Sequence, residues 1–203
     1  MISVIDYSMG NLASVYKAFK YIGADVQITS DPDVIYNSDA VVMPGVGAIS
    51  DAMKCLEKYG LVDAISEYIS KGKPFFGICL GMQMLFENSK EGMEDFGVEV
   101  KGLGILKGEV LRLPNMPDIK VPHMGWNNIS TTKETILPDN KSLYFVHSYY
   151  VEPTDKRIVT ATSFHGIEFT AAIEKDNILA TQFHPEKSGD VGLSILNSWI
   201  KSF

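Results

Sequence analysis

Residues 75–86 read FFGICLGMQMLF. Two aromatics lead into Gly77, Ile78, Cys79, Leu80 and Gly81, and then into a Met-rich apolar run. A buried strand that bends sharply into a helix needs such a composition, because glycine accepts backbone angles and close approaches that other residues refuse. The stretch predicts a strand over 74–78, a bend at Cys79 and a helical run carrying Met82, Leu85 and Phe86. Glycine–x–cysteine–x–glycine at such a bend has the form of a nucleophile elbow. It lifts the sulfur to the carboxyl end of the strand and offers the next amide N–H groups to a developing oxyanion, with negative charge favoured at the helix start. The same residues also suit a plain buried cysteine in a core turn, since cysteine is among the most buried residue types. The stretch alone leaves both readings open.

Working outward, the first third alternates short apolar runs with amphipathic segments. Runs at 2–5, 24–29 and 40–44 read as strands. Leu12, Val15, Tyr16, Phe19 and Ile22 follow helical spacing up to Gly23, and further helical patterns cover 49–59 and 61–71. Strands alternating with helices imply parallel pairing through right-handed crossovers. From about residue 97 the texture changes. Segments 108–113, 142–151, 157–164, 168–174 and 178–183 are strand-like with turn-rich links, which predicts an antiparallel or mixed region, and 191–203 closes as an amphipathic helix. His165-Gly166 reads as a hairpin turn. The expectation is one domain over 1–203, an α/β fold with a central mixed, mostly parallel sheet flanked by helices and an additional antiparallel strand region in the second half.

The chain has 203 residues, 45% of them hydrophobic and 21% charged, with a net charge of −7. That balance disfavours nucleic acid and anionic membrane surfaces, which select basic faces, and no apolar stretch is long enough to span a bilayer. Cys55 and Cys79 form neither a disulfide framework nor a metal-ligand pattern, so no metal is expected. The N-terminal segment has no basic region and does not resemble a leader, so the expected location is cytoplasmic.

A reactive thiol needs a base, and the base needs an orienting group. His123, His147, His165 and His184 are the available imidazoles. His184 lies in ATQFHPEKS (180–188), directly after an apolar run. In an extended chain residues i and i+2 point to the same side, so Glu186 would hold the ring, with Pro185 stiffening the pair. A redox-sensing cysteine would explain Cys79 but not this pair. His147 lacks a neighbouring carboxylate and is the weaker candidate base.

GICLGMQ (77–83) followed by FHPE (183–186) resembles the class I, or triad, glutamine amidotransferases, with the likeness running from about residue 2 to 202. Within them, IDYSMGNLASV (5–15), MPGVGAI (43–49), PHMGWN (122–127), YFVHSY (144–149) and FHPEKSG (183–189) are similar to the glutaminase subunits of imidazole glycerol phosphate synthases. Relatives serving other synthases usually carry a different loop at Pro44–Gly47 and lack the PHMGWN block. One departure is Ser8, where the family commonly has glycine.

The resemblance implies a flavodoxin-like class I glutamine amidotransferase fold, no cofactor, glutamine as small-molecule substrate and a (β/α)8-barrel cyclase as protein partner. It casts Cys79, His184 and Glu186 as the catalytic triad, and the backbone N–H groups of Leu80 and of Val46 or Gly47 as the oxyanion hole. That loop's peptide is implied to flip when the partner binds, a change glycine makes cheap. Gly45, Gln83 and the backbone of His147-Ser148-Tyr149 are implied to hold glutamine. Asn11, Pro122, His123, Met124, Trp126 and Asn127 are implied at the partner interface, the 122–127 segment reading as a Pro-bounded loop. Met82, Met84 and Met93 read as apolar filler.

Overall fold

Strands buried on both faces need unbroken apolar runs, and the predicted parallel strands supply them. The computed structural model describes residues 1–92 and 97–203; Met93 lies outside them. The strands in chain order are β1 (Ile2–Ile5), β2 (Val26–Thr29), β3 (Ala40–Gly45), β4 (Phe75–Cys79), β5 (Phe86–Ser89), β6 (Val100–Lys101), β7 (Leu106–Arg112), β8 (His123–Asn128), β9 (Ser130–Thr131), β10 (Ser142–His147), β11 (Tyr149–Pro153), β12 (Val159–His165), β13 (Ile167–Lys175) and β14 (Ile178–Thr181). The helices are α1 (Leu12–Tyr21), α2 (Pro32–Asn37), α3 (Ile49–Lys58), α4 (Leu61–Ser70), α5 (Leu80–Gln83) and α6 (Gly189–Ile200).

Among the described residues the main sheet runs β2-β1-β3-β4-β14-β13-β12-β9. Pairs from β2 to β14 are parallel, and those from β14 to β9 antiparallel. Part of the expected antiparallel region therefore continues the central sheet. The rest forms a β11-β7-β5-β6 sheet and a β10-β8 ribbon.

Side chains alternate along each central strand, so successive residues feed two separate cores. Ile5, Val41, Met43 and Phe75 pack with α3 and α4 residues such as Leu56 and Ile65. Val4, Val42, Phe76 and Ile78 pack with Phe19 of α1 and Leu196 and Trp199 of α6. Trp199 meets Phe76 at 5.2 Å and Phe19 at 6.1 Å between ring centroids. Burying each such side chain contributes roughly 1.5–3 kcal/mol. The two cores clamp the sheet so that β3, β4 and β14 end together at one edge, where ligands bind in open α/β sheets.

Four sequence expectations change. The helical run after Cys79 lasts only over Leu80–Gln83, because the carbonyls of Met84, Leu85 and Phe86 are taken by the N–H groups of Leu103, Leu106 and Gly104. The 142–151 segment is two strands, with Ser148 between them. The 122–127 block is mostly strand, paired antiparallel to β10. An unpredicted helix, α2, begins where Asp31 accepts the Asp33 N–H beside Pro32 at the first helical position, a start signal the sequence does carry. The expected hairpin turn at His165-Gly166 forms, with Gly166 at φ 77°. Ser8 takes φ 65° itself, a left-handed conformation glycine would adopt freely. Its N–H is held by Asp6 Oδ1 at 2.9 Å, and its hydroxyl lies 2.8 Å from that of Tyr59.

Gly81 lies directly on β3: a Cβ there would sit 1.8 Å from the Met43 carbonyl oxygen. That oxygen belongs to a central strand and cannot yield. Gly81→Ala is therefore expected to lower folding stability by about 3 kcal/mol or more. A urea unfolding midpoint equal to wild type would contradict the packing described.

Candidate active site

The nucleophile candidate sits where the backbone bends. Cys79 is the last residue of β4 and the cap of α5, at φ 55° and ψ −106°. A non-glycine residue there is strained, and such strain persists only where the surroundings impose it. They do so through two glycines: a Cβ on Gly77 would lie 2.8 Å from the Gly81 carbonyl oxygen, and one on Gly81 would strike Met43. Cys79 is buried; its sulfur lies 3.9 Å from the Val146 carbonyl oxygen and accepts from Gln182 Nε2 at 3.5 Å.

The structure brings His184 and Glu186 to this sulfur, by a route that differs from the expected extended chain. Strand β14 stops at Thr181, and Pro185–Lys187 form a 3-10 turn capped by His184. The turn folds the carboxylate back, so that Nδ1 of His184 meets Glu186 Oε1 at 2.8 Å, with both side chains at most 3% exposed. The His184 backbone is pinned on both sides. Its N–H donates to the Tyr144 carbonyl at 2.9 Å, and its carbonyl accepts from Ser188 Oγ at 2.6 Å. Ser188 Oγ in turn accepts the Tyr144 N–H at 3.0 Å. Nε2 of His184 and Oε2 of Glu186 are buried without hydrogen bonds of ordinary geometry. Burial alone would push the imidazole down, but the charge of Cys79 and its contact with the ring, together with Glu186, outweigh burial and push it up to about 10. The ring is thus held as an imidazolium beside the sulfur.

The oxyanion candidates lie alongside. Gly45 is the register partner of Cys79 across β3 and β4, so the Pro44–Gly47 loop runs past the sulfur. Tyr7, which sequence reasoning missed, donates its hydroxyl to the Pro44 carbonyl at 2.7 Å. Burial, reinforced by the charge of Cys79, raises the phenol and keeps it a donor. A Cβ on Gly45 would sit 2.3 Å from that hydroxyl, and Gly47 has φ 98°.

Val46, Gly47, Cys79, Leu80, Gln83, Pro122 and His147-Ser148-Tyr149 line one cavity of about 280 Å³. Sequence reasoning missed another lining residue, Glu91, whose Oε2 accepts the Ile49 N–H at 2.6 Å. A larger cavity of about 550 Å³ opens among Pro74, Asp176, Trp199 and Phe203. It holds neither cysteine nor histidine, and the elbow cavity is the one with chemistry.

A single carbonyl fixes the polarity of the cavity wall. The Tyr149 oxygen can only accept, and it takes Gln83 Nε2 at 2.9 Å and His147 Nδ1 at 2.9 Å. Gln83 Nε2 also donates to Gln182 Oε1 at 3.0 Å. Both Gln83 N–H groups are then spent, leaving Oε1 as its polar atom for a ligand. On the other side, burial pushes His147 down to about 3, so its ring is neutral and Nε2 accepts from His123 Nδ1 at 3.0 Å. Burial, with His165 beside it, likewise holds His123 down at about 4. His123 Nε2 faces Asn127 Nδ2 at 3.3 Å, and that nitrogen donates to the Phe164 carbonyl at 2.8 Å.

The structure separates the residues of the interface expectation. His123 is 5% exposed and points inward, because alternation along β8 sends its ring toward Phe145 and His147. Met124 and Trp126 point outward instead, 69% and 58% exposed. Asn127 is half-buried, whereas Pro122 and Asn11 are exposed, with Asn11 capping α1 by accepting the Ser14 N–H at 3.3 Å. Among the described residues no group of three or more metal-ligating side chains comes together, and no helix is long and apolar enough to cross a membrane.

A family model, glutamine amidotransferase class-I, matches residues 3–201. A protein of Geobacter metallireducens named imidazole glycerol phosphate synthase subunit HisH is 48% identical over 210 residues, covering 99% of this chain and 98% of that one. A protein of the same name from Methanothermobacter thermautotrophicus is 48% identical over 204 residues, covering 99% and 98%. In three dimensions the chain is similar to a crystal structure of a glutamine amidotransferase, with a TM-score of 0.75 at 18% identity, covering 98% of this chain and 97% of that one. It is also similar to a structure of PurLQS from Thermotoga maritima, with a TM-score of 0.76 at 17% identity, covering 99% and 97%. At such identities the structures speak for the fold.

The His184 arrangement has a pH signature. A base whose folded value is raised stabilises the fold while it is protonated in both states. Its contribution is therefore complete below about pH 6.5 and lost as pH rises through about 10. Glu186→Gln is expected to lower stability by roughly 1–3 kcal/mol near pH 6, with the deficit closing toward about pH 10. Urea midpoints of the two proteins across that range check the sign; a deficit that widens with pH would refute it.

Proposed function

The chain belongs to the class-I glutamine amidotransferases, and on that premise we propose that it is the glutaminase subunit of a two-subunit imidazole glycerol phosphate synthase. It releases ammonia from glutamine for a cyclase of the (β/α)8-barrel type in histidine biosynthesis. The observation that carries this reading is the strained Cys79 in the cavity wall, with the buried His184–Glu186 pair set against its sulfur. The extent of identity to synthase subunits over nearly the whole chain supports the pathway.

The chemistry follows from the groups present. The Cys79 sulfur attacks the carboxamide carbon of glutamine, and the carbonyl oxygen becomes an oxyanion. The N–H of Leu80 and one from Val46 or Gly47 meet it. The imidazolium of His184 gives its proton to the departing nitrogen, ammonia leaves, and a γ-glutamyl thioester remains on Cys79. The now neutral ring takes a proton from water, whose oxygen attacks the thioester; the thiolate departs and glutamate is released. Glu186 holds the ring's orientation and its positive charge throughout.

Recognition of the free amino acid is supported by the cavity wall. Gln83 Oε1, together with the Glu91 carboxylate, suits an ammonium group, and Gly45 and the His147-Ser148-Tyr149 backbone suit the rest of the substrate. The partner surface is read from β8, where Met124 and Trp126 stand exposed side by side. Trp126 packs edge-on against Tyr144, with Lys187 5.9 Å from the Tyr144 ring. Aromatic anchors of this kind are what interfaces favour. Asn11 and Pro122 fit the same carboxyl edge, and His123 fits behind it as an internal support.

Cys79→Ala is expected to abolish glutamine-dependent synthesis by the assembled pair while leaving ammonia-dependent synthesis intact. Loss of both activities would make Cys79 structural, and glutamine-dependent turnover by the variant would remove it from the reaction.

A further inference from the structure

Gln182 is fully buried and sits between Gln83 and the sulfur. Its backbone N–H is spent on the Ala171 carbonyl, as the register of β13 and β14 requires. A buried primary amide must satisfy an oxygen and two N–H groups, and the oxygen already accepts from Gln83. That orientation is imposed from outside. The Tyr149 carbonyl admits only a donor, so Gln83 presents nitrogen to it. Gln83 therefore also presents nitrogen to Gln182, which must answer with Oε1 and turn Nε2 to the sulfur, 3.5 Å away. Flipping Gln182 would set nitrogen against nitrogen on one side and oxygen against sulfur on the other.

A thiol is a weak acceptor and a thiolate a strong one. Two further polar groups meet the sulfur: the His184 imidazolium favours S⁻, whereas the Val146 carbonyl oxygen suits S–H and opposes S⁻. We propose that Gln182 is a further catalytic residue, donating an N–H to Cys79 whenever the sulfur is anionic: before attack on the amide, and again as the thiolate departs from the thioester. The proposal rests on the reading of Cys79 as the nucleophile. It gives a buried amide whose oxygen is already spent on Gln83 a reason to turn its nitrogen to sulfur. Gln182 and His184 approach the sulfur from one segment, two residues apart, so β14 and the turn after it deliver both its donor and its base.

The test is the pH dependence of Cys79 alkylation by iodoacetamide without substrate, resolved from Cys55 by peptide mass. Gln182→Met removes the donor at similar size. Its alkylation midpoint is expected to rise by about one pH unit, equivalent to about a tenfold change in the ionisation constant. Gln182→Glu, nearly isosteric, replaces the donor by an anion and should raise the midpoint further. A Met variant with a wild-type circular dichroism spectrum and an unmoved midpoint overturns the proposal. Should neither variant fold, the wild-type chain decides, with glutamine side chains labelled with ¹⁵N. The Gln182 amide resonance must titrate with the alkylation midpoint, and a flat response overturns the proposal. Labelling of wild-type Cys79 by diazo-oxo-norleucine is scored separately. A labelled cysteine with an unmoved midpoint sinks only the role of Gln182, whereas an unlabelled cysteine sinks the glutaminase reading.

Discussion

One steric contact organises the site: the first turn after Cys79 rests directly on the neighbouring strand. The missing side chain of Gly81 lets the backbone of α5 touch the Met43 carbonyl, and the missing side chain of Gly77 lets β4 pass under that same turn. With the turn this low, the chain leaves β4 only by putting Cys79 at φ 55°. The backbone strain at the cysteine, of order 1–3 kcal/mol for such a conformation, is balanced by the two apolar cores that clamp β3, β4 and β14. The register of β3 against β4 then sets Gly45 beside the sulfur, and β14 delivers Gln182 and His184 from the other side. Cys79, the Pro44–Gly47 loop and His184 converge because three parallel strands end at one edge.

A second constraint is electrostatic and has a single origin. The Tyr149 carbonyl is an obligate acceptor, and hydrogen-bond direction propagates from it both ways. One branch passes through Gln83 and Gln182 to Cys79, the other through His147 and His123 to Asn127. Strand β8, with Met124 and Trp126 outward and His123 and Asn127 inward, therefore touches solvent on one face and the supports of the Tyr149 carbonyl on the other. A protein seated on the outer face would press on a strand whose inner face helps hold the Tyr149 carbonyl.

Much of this was legible in the sequence, because some of the chemistry is local. The Gly77–Gly81 elbow, the pairing of His184 with Glu186 and the glycine loop at 44–47 are each contiguous, and the continuous apolar runs announce parallel strands, whereas the 3-10 turn that closes the pair is not in the extended reading. What was not legible depends on sheet order. Tyr7 reaches Pro44 across 37 positions, Gln182 reaches Cys79 across 103, and Ser188 reaches Tyr144 across 44; no local pattern encodes such meetings. The PHMGWN block reads as a Pro-bounded loop. Pairing of His123–Asn128 with Ser142–His147 overrides that local preference, Gly125 taking φ 139° within the strand. The helix expected beyond Gln83 failed for a related reason, since carbonyls that would have continued it are claimed by strand and loop N–H groups about twenty residues later. By contrast, Asp31-Pro32 carried a readable helix start that the apolar pattern around it obscured.

Two imidazoles near the sulfur show how partner chemistry, rather than depth, assigns roles. His147 and His184 are both almost wholly buried, at 6% and 2% exposed, so desolvation pushes both toward the neutral form. His147 faces a carbonyl oxygen and another neutral histidine. Neither rewards a positive charge enough, and the ring is held down at about 3. His184 faces a buried carboxylate on Nδ1 and has Cys79 beside the ring, and the two carry it up to about 10. The positive charge on His184 is itself one of the influences that keep His147 neutral. The neutral ring supplies a fixed donor to the Tyr149 carbonyl, and the charged ring holds a proton next to sulfur. Exchanging their partners would exchange their chemistry, because the strands around both provide the same dry surroundings and only Glu186 and Cys79 distinguish one from the other.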